Sequence, residues 1–243
     1  MSRKCVRRVF GTAVGVLLAT PLLAQQPPST PAAALELYHV HVVKAAAGKL
    51  SDVIDAYSNG PAARPGDPQV APVILRHREG GEWDLMVITP HGKDHTLSAD
   101  TPPAEVQAFN QKIIPLSDWH GDTFAVGPPW ESVQKAILPA RGAQGTVYVV
   151  TDLRALTGHR QGLRQTLDRI GQQAPGRTAL FAHVEGAPWN FLTITRYDSW
   201  ADLGQQQTGQ SSQQQDPSLD LRRDMAVHHD TVATYVGGGE ARK

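Results

Sequence analysis

Thirteen residues of this chain, His77-Arg-Glu-Gly-Gly-Glu-Trp-Asp-Leu-Met-Val-Ile-Thr89, return 106 positions later as His183-Val-Glu-Gly-Ala-Pro-Trp-Asn-Phe-Leu-Thr-Ile-Thr195, with six identities. A second echo follows in the same order, His120-Gly-Asp-Thr-Phe-Ala125 against His228-His-Asp-Thr-Val-Ala233. Repeats of 20–50 residues build solenoids and propellers by stacking. A period near 108 residues is instead the length of a folded unit, so the pattern is that of a duplicated domain. Whatever element order holds in one copy must hold in the other.

Each copy reads β-α-β-β-α-β. In the first, Leu37–Val43 is rich in β-branched and aromatic residues, as strands are. Leu50, Val53, Ile54 and Tyr57 are spaced for one face of a helix over residues 48–57. Residues 61–68 read as a loop. Val73–His77 and Trp83–Thr89 flank Glu79-Gly-Gly-Glu82, a hairpin turn. A second helix fits 102–114, with Pro103 in its first turn, and Thr123–Val126 closes the unit. In the second copy Val147–Val150 is the first strand, 158–170 the helix, and Ala179–His183 with Trp189–Thr195 the hairpin. Gln205–Gln215, a Gln/Ser/Gly run without periodicity, reads as a surface loop. A short helical stretch over 219–225 and the strand Thr231–Val236 follow. The expected organisation is two repeats, 35–130 and 146–236, joined by a linker over 131–145, with a tail at 237–243.

The segment before the repeats reads as a leader. Arg3, Lys4, Arg7 and Arg8 precede a mostly apolar run, Val9–Ala24, and Leu22-Leu-Ala24 offers a cleavage point. Sixteen residues are short for a bilayer span, which needs roughly 20. Gln25–Ala34 is a Pro-rich tether. A periplasmic or secreted location follows, with no stable membrane anchor after cleavage. The only cysteine, Cys5, would leave with the leader, so the processed chain is expected to lack disulfides, Cys-ligated metal and thiol chemistry. Removing four basic residues from a balance of 23 basic and 23 acidic leaves a mildly acidic protein. With no Lys/Arg cluster, nucleic acid is not an expected partner.

Two β-α-β-β-α-β units are split βαβ, ferredoxin-like units. Their tandem order, the duplication and the repeated Glu-Gly-x-x-Trp hairpins resemble the dimeric α/β-barrel superfamily over nearly all of residues 35–236. The resemblance implies an α+β fold of two antiparallel sheets packed face to face, with helices outside and a cavity within. It also implies a small-molecule ligand touched by His, Asn, Trp and Arg, as in cofactor-free monooxygenases, small isomerases and haem-binding members. Fold alone does not license a reaction. No nucleophile elbow, phosphate loop, dinucleotide fingerprint or His-Glu-x-x-His motif is present.

Strand alternation then sorts candidate site residues. Met86 and Ile88, with Leu192 and Ile194, form a plain aliphatic face that suits packing under helices. Trp83 and Trp189, with Phe191, lie on the mixed face expected to line the interior and wall an apolar ligand. Tyr38, Val40 and Val42 read as the helix face, so His39 and His41 are expected to point inward, about 7 Å apart. The corresponding stretch of the second copy has no histidine. That difference makes His39 and His41 the leading candidates for general base or metal ligand; the alternative is two wet polar side chains at a strand end. His77 and His120, each repeated as His183 and His228, are secondary candidates. Asp122 and Asp230 could orient the neighbouring rings. Asp118-Trp-His120 could equally be the turn into the last strand. A histidine ligating haem iron is a further alternative, without an attachment motif, and the cofactor is left unspecified. The leading expectation is an exported small-molecule-binding barrel; if catalytic, it is a cofactor-free or metal- or haem-assisted oxidoreductase or isomerase using the inward-facing histidines. The alternative is a non-catalytic structural or interaction module.

Overall fold

In the computed structural model the first half consists of β1 (Glu36–Ala45), α1 (Leu50–Ser58), β2 (Val73–Glu79), β3 (Leu85–Gly92), α2 (Ala104–Ile113) and β4 (Ser117–Gly127). A helix α3 (Trp130–Ile137) leads into the second half. That half is β5 (Val147–Ala155), α4 (Arg160–Gln173), β6 (Thr178–Glu185), β7 (Phe191–Tyr197), α5 (Trp200–Ser212) and β8 (Met225–Gly237). The structure describes residues 35–60, 70–93, 104–138, 145–173, 176–212 and 220–238. The expected leader and tether, the 61–68 loop and the end of the tail lie outside them.

All strands pair antiparallel in the closed order β1-β3-β2-β8-β5-β7-β6-β4. Each half supplies one ferredoxin-like sheet, and the β2–β8 and β4–β6 pairs join the two into a barrel without edges. Closure removes the unpaired strand edges that promote aggregation.

These seams explain why two short motifs recur. Gly80 has φ 106° and Gly186 φ 111°. A Cβ on Gly80 would lie 2.2 Å from the Asp230 carbonyl oxygen, and one on Gly186 2.2 Å from that of Asp122. Each echoed Glu-Gly turn therefore lies against the other half's echoed Asp-Thr. Only glycine meets both demands, a left-handed backbone and an approach this close. The Asp/Asn position of the echo has a role as well. Asp84 Oδ2 accepts the Ala45 N–H at 2.9 Å, and Asn190 Oδ1 accepts the Ala155 N–H at 2.7 Å.

One cluster draws buried side chains from all eight strands: Tyr38 and Val40, Val73 and Leu75, Met86 and Ile88, Ala125, Tyr148 and Val150, Ala179 and Phe181, Leu192 and Ile194, and Ala233. Only the barrel interior touches every strand. The face assignment is thus the reverse of the expected one: the plain aliphatic face is inside, and His39 and His41 point outward to the helix layer. The interior is the driest layer, so aliphatics fill it. The outer face, only partly roofed by helices, tolerates histidine and threonine.

Three further expectations change. The 131–145 linker contains most of α3, whose Trp130, Val133, Ala136 and Ile137 join the interior cluster. Their 3-3-1 spacing forms one helical stripe, and the Trp130 N–H at the helix start donates to Glu36 Oε2 at 2.8 Å. The Gln-rich run is helical as far as Ser212, since glutamine is a good helix former even where no apolar period marks it. β4 and β8 begin well before the expected strands. Asp118–His120 is strand rather than turn, because pairing along β1 carries through polar residues: Val43 faces His120, and Lys44 faces Trp119.

Candidate functional site

The β1–β4 register sets His41 directly opposite Asp122, His39 opposite Phe124 and Val43 opposite His120. Cross-strand partners share a face, so His39, His41, His120, Asp122 and Phe124 emerge together on the outside of the first sheet. One carboxylate oxygen organises them. Asp122 Oδ1 lies 2.7 Å from His39 Nε2 and 2.6 Å from His41 Nδ1. His120 Nε2 stands 3.4 Å from the other oxygen. Phe124 stacks on the His39 ring at 5.1 Å, and His120 on His41 at 5.3 Å. His91, near the end of β3, lies beside His39.

The helix layer adds one residue. Tyr57 of α1 brings its hydroxyl 2.6 Å from His41 Nε2. Burial opposes charge on Asp122, but the hydrogen bonds from His39 and His41 outweigh it and hold the carboxyl well below the usual carboxylate range. Asp122 is therefore an anion and only accepts. Burial lowers the His41 pKa, against the raising influence of Asp122, and His39 and His120 lower it further. Burial, with the Asp122 charge behind it, raises the Tyr57 phenol. The roles follow: neutral His41 donates from Nδ1 to Asp122 and accepts the Tyr57 proton at Nε2. Both its nitrogens are committed. His39 Nε2 bonds the same Asp122 oxygen from a side chain 28% exposed, and its Nδ1 has no hydrogen-bond partner among the described residues.

The other expected residues fall elsewhere. His77 is on the interior-facing side of β2, opposite Ala233 and edge-on to Trp83, so the sheet separates it from the His39/His41 cluster. His183 and Trp189 repeat this pair. Trp83 is buried in the interior cluster and Trp189 packs against it. They reach the interior as expected, though from the hairpin before each strand and as filling. Phe191 is corrected: it packs outside, under α4, with Leu153, Leu163 and Leu167 and with the Arg160 guanidinium 5.7 Å from its ring. Sequence reasoning missed Tyr57, which reads as one more apolar residue of a helix stripe. It also missed His91 and Phe124, which carry no local signal.

The matching face of the second half differs. The β5–β8 register sets Thr151 opposite Asp230 and Val149 opposite Val232, so Val149 and Thr151 occupy the places of His39 and His41. Leu167, eighth in α4, stands where Tyr57, eighth in α1, stands in the first half. Between this sheet and its helices lies a cavity of about 820 Å³, lined in part by Val149, Thr151, Leu167, Thr193, Thr195 and Asp230.

No protein-family model matches the sequence, and a search of curated proteins finds no match. Among solved structures the chain is similar to a candidate monooxygenase from Lactobacillus acidophilus (TM-score 0.57, 7% identity, 85% of this chain and 95% of that one). A candidate monooxygenase from Fusobacterium nucleatum is also similar (TM-score 0.58, 10% identity, 84% and 94%). So is an anthrone oxidase-like protein (TM-score 0.51, 12% identity, 86% and 94%). At these identities the likeness is one of fold.

Proposed function

We propose that this chain, which has the fold of a dimeric α/β barrel made from a single polypeptide, is an exported, small-molecule-binding enzyme of oxidoreductase type whose general base is His39. The observation that carries this reading is the Asp122 Oδ1 to His39 Nε2 hydrogen bond of 2.7 Å, with no partner for the remaining ring nitrogen among the described residues. A carboxylate behind an imidazole fixes its tautomer and stabilises the imidazolium formed when the far nitrogen takes a proton. Histidine suits the task because its ordinary pKa lies near neutral pH. His41, bound at both nitrogens, acts as a positioning residue that holds Asp122 in register. His120 lies beside the same carboxylate and is half exposed. The oxidoreductase class rests on the neighbours described as monooxygenases and as anthrone oxidase-like. Export rests on the leader pattern of residues 1–24.

One observation favours the alternative, a non-catalytic interaction module: side chains from every strand and from α3 fill the barrel interior. Native mass spectrometry of the full gene product recovered from a bacterial periplasm separates the two. The expected spectrum shows a chain shortened by the leader and carrying an added small-molecule mass that His39→Gln loses. A bare chain, identical in wild type and variant, overturns the enzymatic reading and favours the module. A chain retaining residues 1–24 overturns export.

A further inference from the structure

Two imidazole nitrogens and a carboxylate oxygen converge at one point of the outer sheet face. His39 Nε2, His41 Nδ1 and Asp122 Oδ1 all lie within 4.8 Å of one another. Beyond the general-base reading, with which it shares residues, we propose that these three atoms form a binding site for one divalent first-row transition-metal ion, of the zinc or iron(II) kind.

The donor chemistry selects this class. Mixed imidazole and carboxylate ligation suits zinc and iron(II), and two histidines with one carboxylate leave positions open for a substrate or water. Calcium and magnesium prefer sets made entirely of oxygen. The geometry is close to what such an ion needs. Metal–ligand bonds of about 2.0–2.2 Å place neighbouring donors roughly 3 Å apart. The present separations of 2.7 and 2.6 Å have to open by only a few tenths of an ångström. The ion would take the place of the two imidazole protons that Asp122 now accepts. Tyr57 is already placed at the far nitrogen of His41, where its oxygen can take the ring N–H and hold the ring's orientation. His120 Nε2 lies 3.4 Å from Asp122 Oδ2, beside the three-ligand group. The Asp122 side chain is 46% exposed, so an ion has a path from solvent. Finally, the ligands come from two adjacent strands in fixed register rather than from a loop, and a rigid base preorganises a site.

The chain carries its own control. The second half keeps Asp230 with His228 at 3.7 Å, but Val149 and Thr151 replace both imidazoles, and Asp230 Oδ1 accepts the Thr151 hydroxyl at 2.6 Å. No further group of three or more ligating side chains occurs among the described residues. The expected stoichiometry is therefore one ion per chain.

Chelator-treated full chain titrated with cobalt(II), followed by its d–d absorption, and with zinc(II), followed by calorimetry, tests this directly. One ion per chain is expected, with affinity falling at least a hundredfold in Asp122→Asn and in His39→Gln, and unchanged in Asp230→Asn. Circular dichroism establishes that each variant is folded. His39→Gln removes one hydrogen bond to Asp122 rather than the carboxylate that holds both histidines, and remains informative should Asp122→Asn not fold. The absence of a cobalt band and of zinc heat up to about millimolar metal in the folded wild type overturns the site, as does equal binding by wild type and His39→Gln. Because the readout is metal itself, its failure leaves the general-base reading standing. Conversely, one ion bound in the protein as purified keeps the site and sinks the general-base reading, because a metal on His39 Nε2 leaves the ring proton on Nδ1.

Discussion

Where the first half places His39, His41 and Tyr57 between its sheet and α1, the second places Val149, Thr151 and Leu167. The barrel interior on the other side of these same strands differs far less: Tyr38 and Tyr148, Val40 and Val150, Met86 and Leu192, Ile88 and Ile194 occupy matching places. The two copies have thus stayed alike where they meet and diverged where each faces its own helices. The physical reason is shared packing. An interior side chain touches residues of both halves, so changing it disturbs both, whereas the helix-covered face of one half is remote from that of the other. In the first half, rings of Tyr57, Phe109, Phe124 and the histidines occupy the space under the helices. In the second, smaller side chains leave a cavity of about 820 Å³, within the usual size of ligand sites.

The comparison can be broken most forcefully at the seams. Gly80→Ala and Gly186→Ala should each cost about 3–5 kcal/mol in chemical denaturation, since each adds a left-handed-backbone penalty to a Cβ–carbonyl clash. The two losses should be similar. A large loss at one and none at the other would show that the halves do not share one closure.

Next in size is the division of chemistry. Asp122→Asn should weaken cobalt(II) binding about a hundredfold, equivalent to about 2.7 kcal/mol, while Asp230→Asn should not change it. Installing Val149→His with Thr151→His should raise the stoichiometry to two ions per chain if strand register and a carboxylate suffice. Equilibrium dialysis reads both.

A reciprocal exchange sharpens the packing argument. Tyr57→Leu removes a buried ring and the hydrogen bond to His41 and should cost about 2–3 kcal/mol. Leu167→Tyr should be nearly neutral in thermal unfolding, because the cavity beside it can receive the ring. Equal penalties for the two would mean that the second half is as tightly filled as the first.

The smallest effect is a pH dependence in metal-free protein. His41 is held below its ordinary pKa by burial, so as pH falls through the unfolded-state value near 6.5 the unfolded chain takes up the proton first. The contribution is complete above that value and is lost as pH decreases toward the folded-state pKa. The unfolding temperature should therefore fall between pH 7.5 and 5.5, and His41→Gln should flatten that slope. A wild-type slope of opposite sign would mean that Asp122 dominates and that His41 is charged.

Much of this was legible in the chain itself. The echoes at His77 and His183, and at His120 and His228, established duplication, and apolar spacing placed every strand and helix of both copies except α3 and most of α5. His39 and His41 stood out because the second copy lacks them. Residues 130–137 went unrecognised because a short amphipathic stretch between two repeats looks like a connection until something is seen to accept its apolar side.

What the sequence by itself determined is the pair of β-α-β-β-α-β units and the alternation of faces along each strand. Alternation defines two faces without saying which one is enclosed. Only barrel closure through β2–β8 and β4–β6 decided that, turning Met86 and Ile88 inward and His39 and His41 outward. The site was likewise a tertiary decision. Asp122 meets His41 through an antiparallel register in which a one-residue slip would send the carboxylate to the opposite face. Tyr57 completes the group only because α1 folds back over β1. Periodicity is local and survives in the sequence; partnership across strands and layers depends on register and packing, which no single stretch of residues contains.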